Sequence, residues 1–312
     1  MNISPSDRLT RAISLAVIYF VLGGASAAAV AARSPENTAS TAAHDSTAAV
    51  PAWLRGVWTR EWIQMGRAKS NTLDVHYLQT PTFFADIRIP KDRPRFPNAK
   101  SFADLTDQQL RLLAGQNGFT GLTTTSGAVT TWNHDIQFQP SDGAADRGRL
   151  QRIATARMQE HGLDGSYVES WKSMTGGNEH FLVIRVQHAG RLLRTLVVVG
   201  NQFAYARNRA GDLPAAASFD ALIDSTRASR AQIEGYLDCE FSVGRVRGGS
   251  VPWEIEQSTL PWREARHLDF VDEIAPIQGG VGLAPRAGGD DEWTVPINTL
   301  DAREIGELFG GK

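Results

Sequence analysis

What the chain lacks narrows it first. One of its 312 residues is cysteine, Cys239, so no intramolecular disulfide can form and stability must come from an ordinary core. Within the strand-like run YLDCEFSVG that thiol reads as a small buried hydrophobe, with no histidine near it in sequence. The seven histidines (His44, His76, His134, His161, His180, His188 and His267) form no His-x-His, His-x-x-x-His or His-Glu-x-x-His pattern, so a metal site has no support. A Gly-x-Ser-x-Gly elbow, a Gly-Lys-Ser/Thr phosphate loop and a G-x-G-x-x-G turn are all missing, and no cofactor is expected. Neither sign of charge dominates: 32 basic against 34 acidic residues give −2, with no long run of either. That balance argues against a nucleic-acid partner, which calls for a basic face.

What is present begins with a leader. Arg8 and Arg11 precede the apolar run AISLAVIYFVL (12–22) and the small-residue run GGASAAAVAA, in which Ala29-Val30-Ala31 fits signal peptidase. Residues 1–31 therefore read as a secretory signal peptide, which places the protein in the periplasm or the medium. The alternative is an uncleaved anchor, since 12–32 is long enough to span a bilayer, and it is the only membrane contact expected. Residues 32–52 lack periodicity and read as a disordered linker. PIQGGVGLAPRAGGDDE (276–292) opens a flexible Gly/Pro-rich segment, 276–312, with room for a last strand and a terminal helix over TLDAREIGELF.

Internal similarity organises the middle. SFADLTDQQLRLLAGQNGF (101–119) and SFDALIDSTRASRAQIEGY (218–236) both run from Ser-Phe-x-x-Leu to Gly-aromatic, at an offset of 117. Leu73, Asp74 and Tyr77 answer Leu163, Asp164 and Tyr167 at 90; Phe84, Ile87 and Arg88 answer Phe181, Ile184 and Arg185 at 97. Trp132 and Pro140 answer Trp253 and Pro261 at 121. Ordered, rising offsets point to a duplication with insertions in the second copy, the largest around 191–207. Alternation marks strands at 56–64, 72–79, 82–89, 119–125 and 128–138, then at 148–159, 165–172, 180–187, 191–199, 202–207, 236–245 and 253–258. Further strands are expected near 267–272 and 292–296. Short turns between them make antiparallel meanders, which close most easily into barrels. The expectation is a mainly β chain of two tandem, internally duplicated barrels, 53–143 and 144–275, each with one short helix.

YLQTPTFFADIRIP, QNGFTG, TWNHDIQFQP, DRGRL and YVESW together resemble a widespread uncharacterised bacterial family. That family is in turn similar to fungal casein-kinase-interacting proteins built from two lipocalin-like (calycin-like) halves, whose later part STLPWR resembles. The resemblance covers roughly 53–263 and implies two linked lipocalin-like barrels with no enzymatic activity to carry over. The leader departs from the family, whose members are mostly leaderless, and puts an intracellular kinase-linked role in doubt here.

In LRGVWTREW, period 2 puts Trp58, Arg60 and Trp62 on one face, an arginine between two indoles, and the lipocalin-like resemblance implies that Trp58 plugs the closed end rather than lining a pocket. A two-residue turn at Thr80-Pro81 would pair Tyr77 with Phe84. One face of that hairpin then carries Leu73, Val75, Tyr77, Phe84, Asp86 and Arg88. The other, with Leu78, Phe83, Ala85, Ile87 and Ile89 beside Asp74 and His76, is the more apolar and is expected to form the barrel core. A rival reading turns Arg88 and Arg185 inward as anion clamps. Tyr167, Glu169 and Trp171 share a face beside Arg185, which gives the best enzymatic hint: a carboxyl raised by indole and burial, against the plainer reading of a Glu–Arg pair pinning two strands. The ligand-binding candidates are Trp62, Tyr77, Arg88, Trp132, Tyr167, Trp171, Arg185 and Trp253. Three functions follow: non-enzymatic binding of a small apolar or amphipathic ligand, an interaction module with filled barrels, or a cofactor-independent enzyme using Glu169 and Tyr167. The protein partner of the second is not specified by any motif.

Overall fold

The computed structural model describes residues 50–176, 179–247, 252–277 and 282–309, so the expected leader and nearly all of the linker lie outside the described residues. Strands follow the alternation closely: β1 (Gly56–Met65), β2 (Ala68–Ser70), β3 (Leu73–Gln79), β4 (Phe83–Pro90), β5 (Asn117–Ser126) and β6 (Val129–Gln137). After them come β7 (Asp146–Ala154), β8 (Arg157–Gly162) and β9 (Tyr167–Ser173). β1 and β3 to β9 pair antiparallel in chain order, and β9 returns to β1, which closes an eight-stranded barrel. Three of those strands lie in 144–275, the span expected to form a barrel of its own. A turn at Thr155-Ala156 splits the expected strand 148–159 into β7 and β8, and the extra hairpin completes the first barrel.

The chain continues through β10 (Phe181–His188), β11 (Arg191–Val199), β12 (Gln202–Arg207), β13 (Glu240–Val246) and β14 (Trp253–Ser258). β15 (Ile274–Pro276) and β16 (Leu283–Pro285) form a small hairpin before β17 (Glu292–Asn298). A six-stranded antiparallel sheet runs β14-β13-β12-β11-β10-β17, with β14 and β17 as its edges among the described residues. The matched segments do not repeat their pairing. β3, β4 and β5 are neighbours, whereas their counterparts β9, β10 and β13 are split between two sheets or separated by β11 and β12. Around 267–272, where a strand was expected, Asp269–Glu273 forms a 3-10 turn.

The two similar segments become α1 (Asp107–Ala114) and the pair α2 (Phe219–Thr226) and α3 (Arg230–Leu237). Each start is capped by a hydroxyl: Thr106 and Ser229 make reciprocal capping boxes with Gln109 and Gln232, and Ser218 accepts from the Ala221 N–H at 3.0 Å. A last helix, α4 (Ala302–Phe309), covers the outer face of the second sheet with Ile305 and Phe309.

The largest core lies between barrel and sheet, not inside the barrel. Leu78, Phe83, Ala85, Ile87 and Ile89 point outward from β3 and β4 and are buried against Val183, Val197, Phe241 and Val243 and helix residues such as Leu110 and Phe219. This corrects the expected facing: the apolar set is buried, but the lumen takes Leu73, Val75, Tyr77, Phe84, Asp86 and Arg88. The sequence pattern could not separate the two because an outer face covered by another sheet is as apolar as a lumen. The register also moves. Thr80 N–H donates to Phe83 O at 2.9 Å, so Tyr77 faces Asp86 and Gln79 faces Phe84, a slip of two that leaves every residue on its own face.

Two glycines are fixed by local geometry. Gly56, at φ +137°, starts β1 where a Cβ would lie 2.5 Å from the Thr175 hydroxyl that accepts from Val57 N–H. Gly121 sits at a bulge against β6, where a Cβ would lie 1.8 Å from the Asn133 carbonyl oxygen. Fully buried Ile87 tests the inter-sheet core. Ile87→Ala should lower unfolding free energy by about 2–5 kcal/mol in urea titration, and a cost near zero would mean that the barrel does not depend on this contact.

Candidate functional site

Polar side chains occupy the lumen in layers. At one end Trp58, 1% exposed, donates its indole N–H to Leu54 O at 2.8 Å and packs with Val50 and Leu54, filling that end. Above it Trp132 Nε1 donates to the Tyr77 hydroxyl at 3.1 Å, and Tyr77 donates to the Gln79 side chain. Gln79 Oε1 also accepts from Thr123 at 2.8 Å, while its amide donates to Thr80 O and Phe83 O. Burial lifts the Tyr77 hydroxyl far above its ordinary range, so it stays a neutral donor. This network holds Tyr77 and Trp132 in fixed positions.

Next come the charges. Arg60 from β1 donates to Glu169 from β9, both almost wholly buried. Arg88 makes a two-pronged contact with Asp86, Nε to Oδ1 at 2.8 Å and Nη2 to Oδ2 at 3.1 Å. Burial opposes the charge on Arg88, but Asp86 more than offsets it and holds the guanidinium protonated. Glu160 from β8 stands directly opposite Glu169. It accepts from the Tyr167 hydroxyl at 2.7 Å and has no cationic partner among the described residues. Burial first, then the Glu169 and Asp146 carboxylates, lift the Glu160 carboxyl well above the usual range, against the Tyr167 hydrogen bond and Arg88. Burial and Glu160 push the Tyr167 hydroxyl up in turn. Asp146, at the rim, meets His134 Nε2 at 2.9 Å, and that imidazole stacks on Phe119 with centroids 4.3 Å apart.

These groups border one cleft. It spans about 310 Å³ counted out to solvent, of which about 20 Å³ is open to the centre of a water molecule. Apolar and polar side chains alternate around its wall: Tyr77 is the cross-strand neighbour of Asp86, Asp86 of Phe119 and Trp132 of Asp146, with Arg88, Met158, Glu160 and Trp171 completing the lining. Trp171, 2% exposed, carries a buried indole N–H that finds no acceptor among the described residues. No cluster of metal-binding side chains is found among the described residues.

No family model and no curated protein matches the chain. Among solved structures, it is similar to the uncharacterised protein YLR301w from Saccharomyces cerevisiae. That likeness has 11% identity and a TM-score of 0.47, over 78% of this chain and 98% of that one. At that distance it carries no argument about the site.

Of the expected site residues, the structure brings Tyr77, Arg88, Trp132 and Trp171 to the cleft, with Tyr167 and Glu169 beside it. Three lie elsewhere. A bulge between Arg60 and Trp62 turns Trp62 outward opposite Ser170, where Lys69 Nζ sits 3.7 Å above its ring. The expected stack of Arg60 between two indoles is therefore replaced by the Arg60–Glu169 pair. Arg185 is on another sheet, bonded to Asp135 at 2.8 Å and over Phe83, so it is neither a lumenal clamp nor the partner of Glu169. Trp253 belongs to the second sheet's core against Phe203 and Phe309. Asp146, Met158 and Glu160 were missed, because the turn between β7 and β8 was not recognised; with it, Met158 and Glu160 alternate inward like Trp171 and Glu169.

Two outcomes test this electrostatics. Arg60→Met leaves Glu169 buried without its cation and should cost about 3–5 kcal/mol in urea, while adding Glu169→Leu should recover most of it. Full additivity of the two losses would refute the pairing. Glu160, raised on folding, favours the folded state fully only at acid pH, and that contribution is lost as pH rises toward the folded pKa. Glu160→Gln should therefore raise the melting temperature at pH 7–8, with a gain that shrinks toward pH 4; a pH-independent gain would show that Glu160 is not the titrating group.

Proposed function

We propose that this chain is a non-enzymatic binding protein whose first barrel holds the polar head of a small amphipathic ligand. The observation that carries this is the cleft itself, lined by interleaved aromatic and charged side chains, with the buried Trp171 N–H lacking an acceptor among the described residues. Buried donors are nearly always satisfied, and a ligand acceptor atom would satisfy this one. So small a free volume favours a small head group over a bulky apolar ligand buried whole.

Export belongs to the same proposal, supported by Arg8, Arg11, the 12–22 run and Ala29-Val30-Ala31. So does an origin by duplication within the lipocalin-like family named above. Its support is that β5/β6 and β13/β14 each carry a glycine bulge, at Gly121 and Gly244, where a Cβ would strike the partner strand's carbonyl. On that reading the second sheet derives from a second barrel. An acid–base enzyme is the second reading, favoured by the neutral Glu160 facing the Arg60-paired Glu169.

Native mass spectrometry of the protein purified without organic solvent tests the binding reading. A discrete adduct is expected that disappears on solvent extraction and is absent from Met158→Trp, which fills the cleft. The unadorned mass in both proteins overturns it.

A further inference from the structure

The lumenal charges do not balance. Four carboxyl groups, Asp86, Asp146, Glu160 and Glu169, face two guanidinium groups, Arg60 and Arg88. Glu169 takes Arg60, and Asp86 takes Nε and Nη2 of Arg88. That leaves Glu160 with only a tyrosine hydroxyl and Asp146 with only an imidazole, both at the cleft. Beside them stand the rings of Trp132, the cross-strand neighbour of Asp146, and Trp171, whose faces attract cations, while Phe119 is already covered by Arg88 and His134. A second observation narrows the ligand from the other side: the buried indole N–H of Trp171 wants an acceptor, which a bare alkylammonium lacks.

Resting on the binding reading above, we infer that the ligand head is a small ammonium carrying an acceptor oxygen, the chemistry of a short amino alcohol. The ammonium lies among the Glu160 and Asp146 carboxyl groups and the neighbouring Trp132 and Trp171 rings, and the oxygen accepts from Trp171. Arg88 does not exclude such a cation, because Asp86 neutralises it at two contacts.

Binding is linked to a proton. The groups facing Glu160 are Tyr167 and Glu169 from β9, Asp146 from β7 with His134 behind it from β6, Asp86 and Arg88 from β4, and Arg60 from β1. When the ammonium enters, Glu160 releases its proton to the buffer and becomes the counter-ion. Affinity should then rise with pH, by up to about tenfold per unit while Glu160 still holds its proton.

The test is an NMR titration of the full chain, following the indole N–H resonances of Trp132 and Trp171. The probes are 2-aminoethanol, propylammonium, ethylene glycol and glycolate. Expected is a saturable shift with 2-aminoethanol at pH 8, weaker at pH 6, and weaker again with propylammonium. Glu160→Gln, which keeps the shape and the Tyr167 hydrogen bond, should weaken binding on the order of tenfold. Asp146→Asn, at the partly exposed rim, gives a second variant should the first fail to fold. Glycolate or ethylene glycol binding as tightly as 2-aminoethanol overturns the inference and leaves the binding reading standing. Unchanged 2-aminoethanol affinity in both variants also overturns it, and four silent probes sink both.

Discussion

The structure depends on burying the outer face of β3 and β4. Leu78, Phe83, Ala85, Ile87 and Ile89 would be an untenable solvent face for a lone barrel, and together they form one side of the largest core. The second sheet and α1 to α3 cover them, and Arg93 bridges the join through Gln116 and Ser258 O together with Glu264. Hydrophobic burial here is a property of the pair of sheets. The barrel can therefore keep polar side chains in its lumen without losing its main source of stability.

That freedom explains the lumen. A barrel relying on its interior for cohesion could not hold four carboxyl groups, because each buried charge without a partner costs several kcal/mol. Arg60 and Arg88 answer two of them, and burial favours the protonated, uncharged form of Glu160. Tyr77 and Gln79 knit the layer beneath into hydrogen bonds that leave the aromatic rings fixed. The outcome is a rigid polar cleft in which the Trp171 N–H has no acceptor among the described residues.

Much of this was legible in the sequence. Period-2 alternation locates most strands within a few residues, and the two similar segments locate the helices, although the second holds a pair, α2 and α3, where one was expected. The alternation also sorts β3 and β4 into two faces correctly, because a register slip of two does not exchange them. Which face points inward was not legible, since Ile87 sees the same apolar surroundings whether the cover is a lumen or a neighbouring sheet. Trp62 was misplaced for a different reason: a single bulge after Arg60 reverses the alternation, and no residue in TREWIQ announces it. Glu160 went unseen because Thr155-Ala156 is a hairpin turn without Gly, Asn or Pro.

The two units put similar material to opposite uses. In the second sheet Trp253, Phe203, Phe270 and Trp293 are stacked among aliphatic side chains, and α4 closes over them with Phe309. Trp253 finds its acceptor in Leu308 O of that helix. In the barrel no helix enters the cleft, and Trp171 is left with its N–H unanswered. A helix supplied by the chain itself thus satisfies in one unit the kind of indole N–H that has no acceptor among the described residues in the other. The same aromatic complement gives a filled core beneath the second sheet and an unfilled cleft in the barrel.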